Sequence, residues 1–101
     1  MKVVITSQAQ GELDVIWSWN VEDKGIRLAD AYLEFLKKSI LALSKTYSSG
    51  RIVATRPDFR FVTIKRSSGG HGHILVYMIE GLEVVVLHVF HTAQDWEIKL
   101  S

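Results

Sequence analysis

Four histidines are the residues of this chain whose type and spacing most readily suggest chemistry, because neutral imidazole is a common metal ligand. His71 and His73 are two residues apart and would face the same side of a β-strand. His88 and His91 are three residues apart, so they would point to opposite faces of a regular strand. No paired carboxylate or Glu-x-x-His pattern accompanies them. The sequence therefore predicts ordinary strand histidines, without a metal site or another cofactor.

Metal-independent cleavage of RNA is the other chemistry that the residues could support. That reaction needs a base for the 2′-hydroxyl, cations that stabilise the phosphorane-like charge, and an acid for the leaving oxygen. One sheet face would have to gather the candidate groups, which are Arg60, Lys65, Tyr77 and either His88 or His91. Tyr77 and His88 fit equally well at the edge of a core, with only their polar tips reaching water. The residues alone leave both interpretations open.

Composition excludes several other classes of protein. The chain has no cysteine, which rules out disulfide frameworks, thiolate zinc sites and cysteine nucleophiles. A Gly-x-Ser-x-Gly motif for a serine nucleophile is also absent from the sequence. The N-terminus lacks the apolar core of a signal peptide, and no apolar run approaches the ~20 residues of a membrane helix. We therefore expect a soluble protein of the cytoplasm that has no membrane partner.

Charge singles out one segment of the chain. The net charge is only +1, and residues 1–50 hold six cations and six anions. Between residues 51 and 66, however, five cations stand against the single anion Asp58. Such a segment predicts either one anion-facing patch or a solvated edge with scattered arginines. The five cations are Arg51, Arg56, Arg60, Lys65 and Arg66.

A strand and two helices are predicted in the first half of a single domain, residues 1–101. Lys2–Thr6 is rich in β-branched residues, and Ser7 with Gln10 then has the spacing of a capping box. The first helix gives way near Glu22–Gly25, and the second runs from Ile26 to Tyr47. Their apolar stripes at helical spacing consist of Ala9, Leu13, Ile16 and Trp17, and of Ala29, Leu33, Leu36, Ile40 and Leu43.

Strands are predicted for the second half, where the apolar period changes to about 2 residues after a loop through residues 56–58. Arg60–Arg66 alternates, and residues 67–72 form a Ser/Gly loop. His73–Ile79 and Glu83–His91 are β-branched runs that pair as a hairpin, and Thr92–Leu100 is a short helical tail. The order β-α-α-β-β-β predicts an α+β fold with a helical hairpin packed on one face of an antiparallel sheet. The other face would be partly open to solvent or to a partner.

Large apolar residues outside the predicted core are candidates for an interface. Trp17 and Trp96 lie on apolar stripes and are expected in the core. Trp19 lies off the stripe of the first helix, where a tryptophan is a candidate for binding a partner. The second helix is wider on its apolar side than one contact face requires, because of Leu28, Tyr32 and Phe35.

Three segments together carry a resemblance to a known family. Ala9–Trp17 is similar to a helix opening of the form A-x-x-D-L-x-x-I-W. His73–Tyr77 is similar to an H-x-I-x-Y strand, and Val84–Glu97 to a following I-L-R-V-L-H-x-x-R-D strand and tail. These patterns are typical of the RelE/ParE toxin superfamily, and of its ParE-like branch in particular. The resemblance covers nearly the whole chain and is most specific in the first helix and at Leu87–Asp95.

The resemblance implies a toxin of a type II toxin–antitoxin pair, a class that includes plasmid stabilization proteins and causes growth arrest. His88 and Gln94 depart from the pattern, since arginine is common at both positions. The chain also lacks a clear full set of the basic and aromatic groups used by RelE-type interferases, although Arg60, Lys65 and Tyr77 are possible counterparts. We therefore expect a ParE-like inhibitor of DNA gyrase that acts without chemistry of its own. The alternatives are an interferase that acts on the ribosome and mRNA, and a degenerate module that retains only antitoxin binding.

The resemblance also implies a partner, a small antitoxin whose C-terminal segment wraps the toxin in a hetero-oligomer. The surface expected to bind this antitoxin consists of Trp19, Leu28, Tyr32 and Phe35. The basic segment and the C-terminal tail are expected to bind the target through Arg51, Arg56, Arg60, Lys65, Arg66, Asp95 and Trp96. Deleting residues 95–101 is accordingly expected to relieve toxicity without unfolding the domain.

Overall fold

A strand and two helices form the first half of the fold in the computed structural model, which describes residues 1–66 and 71–100. They are β1 (Lys2–Ile5), α1 (Ser7–Lys24) and α2 (Ile26–Thr46). The predicted strand and helical hairpin are confirmed, and the ends of β1 and α2 differ from prediction by a single residue. The Ser/Gly loop predicted for residues 67–72 falls outside the described residues at 67–70.

The start of α1 corrects one prediction, because the capping residue is Thr6 and not Ser7. Thr6 keeps an extended backbone (φ −67°, ψ 159°), and its Oγ1 accepts a hydrogen bond from the Ala9 amide at 3.2 Å. The same hydroxyl donates to the carbonyl oxygen of Val86 at 2.9 Å. Thr6 therefore links the end of β1 both to the helix and to a neighbouring strand.

Gly25 alone separates α1 from α2. Its φ of 89° lies in the region that residues with a Cβ rarely adopt. Its amide donates to the Val21 carbonyl at 2.9 Å, and its own carbonyl accepts from the Ala29 amide at 3.1 Å. Gly25 thus provides a hydrogen-bond donor at the end of the first helix and an acceptor at the beginning of the second. This short connection lets the two helices pack against each other.

Four strands and a short helix form the second half: β2 (Arg51–Val53), β3 (Arg56–Ile64), β4 (His73–Glu80), β5 (Glu83–His91) and α3 (Trp96–Leu100). The β4–β5 hairpin and both bounds of β5 confirm the prediction. The predicted loop through residues 56–58 is wrong, because β3 already begins there and pairs with the unpredicted β2. Pro57 is tolerated because it precedes the first β3–β4 pair, Arg60 with Tyr77.

The five-stranded sheet has the order β1-β5-β4-β3-β2. β1 runs parallel to β5, whereas the other neighbouring strands are antiparallel. The α+β class is confirmed, but the prediction of an antiparallel sheet is wrong for β1. A parallel neighbour requires a long crossover connection, and the helical hairpin begins that connection.

Both faces of the sheet carry a hydrophobic cluster. The helix-side core lies under α1 and α2 and includes Leu13, Leu36, Ile40, Leu75, Tyr77, Val84 and Val86. The α3-side cluster lies on the opposite face and consists of Val53, Phe59, Ile74, Val76, Phe90, Trp96 and Leu100. The second face is therefore less open than predicted, because the C-terminal helix packs against it.

β5 extends beyond β1 and contains a bulge. The β1–β5 register ends with Ile5 opposite Val86. Val86 pairs with Tyr77 and His88 pairs with Val76, so Leu87 is an extra residue in β5. A bulge of this kind redirects the side chains that follow it. Residues 87–91, which we term the free end of β5, lie next to α1 on the side where β1 has stopped.

Candidate functional site: a groove beside the free end of β5

An open groove of about 1570 Å³ lies between α1, the start of α2 and the free end of β5. Small-molecule pockets usually measure about 300–1,000 Å³ and enclose most of their ligand. This groove is larger and open to solvent, so its dimensions suit a segment of polypeptide. One wall is apolar, since Val15, Trp19 and Leu28 are 57%, 75% and 52% exposed. Exposed apolar side chains grouped in this way indicate a binding surface.

The apolar wall exists because α1 carries apolar residues on two sides. Leu13 is fully buried in the helix-side core, and Ile16 packs against that core. Val15 and Trp19 are four residues apart and therefore share a different side of the helix. The exposure predicted for Trp19 is confirmed. Val15 was not predicted, although its spacing from Trp19 could have identified it.

The four residues expected to bind an antitoxin do not all lie in the groove. Trp19, Leu28 and Tyr32 line it. Phe35 instead packs against the helix-side core, with its ring centre 5.6 Å from that of Tyr32. The structure therefore brings three of the four residues to one surface and leaves Phe35 beneath it.

Histidines and a tyrosine line the groove where β4 begins and β5 ends. His73 pairs with His91 across the strands, and the ring centre of His91 lies 5.2 Å from those of both His73 and His71. The Tyr32 hydroxyl is 2.6 Å from His73 Nδ1. Burial lowers the pKa of His73 to about 4, with a smaller contribution from His91. Since burial also raises the pKa of Tyr32, its hydroxyl stays protonated and can donate a hydrogen bond to Nδ1 of the neutral ring.

The spacing argument for the histidines is confirmed, because His88 and His91 do not both join the cluster. His91 joins the cluster with His71 and His73, whereas His88 lies against Glu12. Within residues 1–66 and 71–100, no group of three histidine or carboxylate side chains is arranged to hold a metal ion.

Glu12 on α1 reaches across to the free end of β5. Its Oε1 accepts a hydrogen bond from the Val89 amide at 2.9 Å, and its Oε2 lies 3.2 Å from His88 Nδ1. The His91 amide donates to the side-chain oxygen of Gln94 at 2.8 Å. Sequence reasoning missed the role of Glu12, because its partners are 76 and 77 positions away and no local pattern indicates them.

Two of the five candidate residues for RNA cleavage donate hydrogen bonds to backbone carbonyls of the fold. Tyr77 is fully buried, and its hydroxyl donates to the Tyr47 carbonyl at 2.8 Å. This burial also raises the pKa of the Tyr77 hydroxyl. Arg60 Nη1 donates to the carbonyls of Ser48 and Gly50 at 3.3 and 3.0 Å. The hydrogen bonds of both side chains thus link residues 47–50, which follow α2, to the sheet.

The other three cleavage candidates lie elsewhere. His91 pairs with His73, which is four residues from Tyr77 along β4. His88 contacts Glu12, and the exposed Lys65 directly follows β3. Arg60 opposite Tyr77 and His91 opposite His73 lie on the helix-side face, whereas His88 lies opposite Val76 of the α3-side cluster. The candidate cleavage groups therefore share a face only in part.

The five cations of residues 51–66 are divided between the two faces of the sheet. Arg51 pairs with Phe61, which packs against the α3-side cluster. Arg60 pairs with Tyr77, which belongs to the helix-side core. Cross-strand partners share a face, so Arg51 and Arg60 point in opposite directions. The alternative of one anion-facing patch is therefore wrong, and the scattered arrangement is the one observed.

The remaining cations differ in their surroundings. The Arg56 guanidinium lies 4.3 Å from the centre of the Phe59 ring and 3.5 Å from the Leu100 carbonyl. Arg66 lines the groove, and Lys65 is exposed to solvent. Arg56 therefore has a structural contact with the C-terminus, whereas the other two are accessible to a partner.

Trp96 and Trp17, both expected in the core, have different environments in the structure. Trp96 was expected both in the core and at the target surface. It is only 8% exposed, and its ring centre lies 4.8 Å from that of Phe61, so the core position is confirmed. Trp17 is half-buried, and its indole N–H donates a hydrogen bond to Asp30 at 2.8 Å. It therefore lies at the edge of the core and not within it. Asp95, the other tail residue expected to meet the target, is exposed.

A helical hairpin on one face of a five-stranded sheet, a short helix on the other and a peptide-sized groove define a small α+β domain with a surface for a partner. A family model described as the ParE toxin of the type II toxin-antitoxin system, parDE, matches residues 3–96. This chain therefore belongs to the ParE toxin family, whose members are type II toxins. The resemblance recognised in the sequence is confirmed.

The fold has a similar solved structure, described as the chromosomal ParDE TA system from P. aeruginosa. The TM-score is 0.77 at 20% sequence identity, over 89% of this chain and 94% of that chain. At this identity the likeness supports the fold. No curated protein matches the chain significantly. Among the described helices, none combines the length and apolar character required to cross a membrane.

Proposed function

We propose that this chain inhibits DNA gyrase by binding it in the cytoplasm, and that a cognate antitoxin neutralises it. Membership of the ParE toxin family supports a toxin, and gyrase is the target that the ParE-like resemblance implies. The observation that favours binding over RNA cleavage is the position of Tyr77 and Arg60. Tyr77 is fully buried and donates to the Tyr47 carbonyl, so its hydroxyl cannot reach a bound RNA as an acid or base, and Arg60 is already bonded to two backbone carbonyls.

The target surface that we propose is the α3 side of the sheet. Arg51 is exposed on this face, opposite Phe61. Lys65 and Asp95 are also exposed, directly after β3 and directly before α3. Arg51 lies on β2, and Val53 of the same strand is buried in the α3-side cluster, so the backbone that carries Arg51 is already ordered before binding.

The antitoxin surface that we propose is the groove. An amphipathic segment placed there would cover the exposed parts of Val15, Trp19 and Leu28, in the manner of a helix in a hydrophobic groove. Trp19 would contribute most, because large aromatic side chains at the centre of an interface dominate its binding energy. The similar solved structure is described as a toxin–antitoxin system, ParDE, and this supports the existence of such a partner.

Expression in bacterial cells tests the proposed target. We expect growth arrest with a DNA-damage response, and rescue by co-expression of the neighbouring reading frame if it encodes the antitoxin. Arg51→Ala with Lys65→Ala should reduce toxicity. The control pair Lys37→Ala and Lys38→Ala removes the same charge from exposed positions on α2 and should leave toxicity unchanged. Rapid translation arrest with cut messages would contradict the proposal in favour of an interferase, and growth without arrest would favour the non-toxic module.

A further inference from the structure

Two amides at the free end of β5 are bonded to side chains instead of to a strand. Val89 donates to Glu12 and His91 donates to Gln94, at 2.9 and 2.8 Å. Residues two apart on a strand direct their amides to the same edge, where a neighbouring strand would supply backbone carbonyls. The side-chain oxygens of Glu12 and Gln94 therefore accept the hydrogen bonds that the backbone carbonyls of an additional strand would accept.

The additional strand would continue the line of β1. β1 stops at Ile5, opposite Val86, and the chain then turns into α1. The amide and hydroxyl of Thr6 both donate to the Val86 carbonyl, at 3.1 and 2.9 Å. Thr6, which directly follows β1, is thus the last residue to continue the pairing of β1 along this edge. An edge left open beyond it is a site for pairing with another chain unless side chains block it.

Charge around the free end favours an acidic partner. The groove is lined by His88 and His91 of the free end, and by the cationic side chains of Lys24, Arg66 and Lys99. Of the two carboxylates among the described residues that line the groove, Glu12 is the one at the free end. The other, Asp23, lies eleven residues further along α1, which is about 16 Å. The chain's own Glu12 therefore occupies a place that suits a carboxylate.

We propose that the free end of β5 binds an extended acidic segment of the antitoxin by strand addition, and that this segment displaces Glu12 and Gln94. The identity of the partner as the antitoxin rests on the proposed function. Carbonyls of the segment replace the two side-chain oxygens on Val89 and His91, and one of its carboxylates replaces that of Glu12. In the free toxin, the same two side chains keep the edge from pairing with a second copy of the chain.

The free-energy cost of displacing Glu12 and Gln94 is small, because both side chains become solvated when they leave the edge of β5. Gln94 is exposed, and the Glu12 side chain is 20% exposed while bonded. Once released, the amide and the carboxylate regain full hydration, so neither is left buried without a partner. The amides of Val89 and His91 exchange one acceptor for another, and the segment adds its own apolar contacts with the groove.

Titration of the purified toxin with the product of the neighbouring reading frame, the candidate antitoxin, tests displacement. Glu12→Ala removes an internal competitor for the Val89 amide and should tighten binding about tenfold. Gln94→Ala should act in the same direction but less, because its oxygen is neutral. Asp14→Ala is the matched control, since it removes an exposed carboxylate of the same helix that contacts Gln10. Unchanged or weaker binding of a folded Glu12→Ala variant would overturn the proposal.

Amide hydrogen exchange of the wild-type complex gives a readout that needs no variant to fold. The amides of Val89 and His91 should exchange about tenfold more slowly in the complex than in the free toxin, with residues 83–86, already paired with β1, as the reference. Unchanged exchange at both amides within a complex that forms would overturn strand addition and leave the proposed function intact. Failure of the two proteins to form any complex would overturn the antitoxin assignment as well.

Discussion

Acidification should destabilise this protein through His73. The side chain is 7% exposed, and its pKa is about 4 in the fold against 6.5 for an unperturbed histidine. Well above pH 6.5 the ring is neutral in both the folded and the unfolded chain, so its titration contributes nothing to stability. As the pH falls from 6.5 to about 4, the unfolded chain takes up the proton and the folded chain does not. The free energy of unfolding therefore falls with pH in this window.

The two pKa values give the size of the effect. Integrated between pH 7 and pH 5, the loss of unfolding free energy due to His73 is about 2 kcal/mol, or roughly 8–16 °C in melting temperature for a domain of this size. Urea denaturation followed by tryptophan fluorescence at the two pH values measures it. His73→Gln keeps a polar group opposite Tyr32 but cannot titrate, so its loss over this interval should be smaller than that of the wild type by about 2 kcal/mol.

The matched control is His71→Gln, which removes an exposed imidazole from the same cluster. This variant should keep the pH dependence of the wild type. Equal losses of stability in the wild type and in His73→Gln would refute the reasoning, since the buried ring would then take up its proton without unfolding.

Three further predictions concern packing and the groove. Gly50→Ala should destabilise the fold by about 2 kcal/mol in urea denaturation, because the new Cβ would lie 2.8 Å from a buried tyrosine ring carbon. Gly11→Ala, in open space on α1, should instead stabilise it by about 0.5–1 kcal/mol. Deleting residues 95–101 should lower the melting temperature, because Trp96 is core; an unchanged thermal transition by circular dichroism would contradict this. Trp19→Ser should weaken antitoxin binding about tenfold or more in a titration, whereas the equally exposed Leu82→Ser should not.

Local patterns predicted much of the fold, and they failed where a feature depends on distant residues. α1 and α2 were predicted because their apolar residues recur at helical spacing over long segments. The bounds of β5 were predicted because a β-branched run ends at polar residues on both sides. The three-residue β2 escaped detection, since Arg51 and Ile52 are both exposed and leave no apolar alternation. The parallel pairing of β1 with β5 joins opposite ends of the chain, which spacing cannot reveal.

The candidate site was predicted to a smaller extent, for the same physical reason. Trp19 and Leu28 could be assigned to a surface because they fall outside the stripe that a helix buries. Glu12 could not, because a carboxylate on a helix gives no sign of bonding to a strand 77 residues later. The burial of Tyr77 and the engagement of Arg60 were likewise hidden, since alternation along a strand does not say which face meets the helices.

Supercoiling of relaxed plasmid by purified DNA gyrase, measured with increasing amounts of the folded toxin, tests most directly whether this chain acts by binding gyrase. We predict that supercoiling is inhibited at toxin concentrations comparable to that of gyrase, and that the candidate antitoxin restores it. Undiminished supercoiling in a large excess of folded toxin would contradict that mechanism.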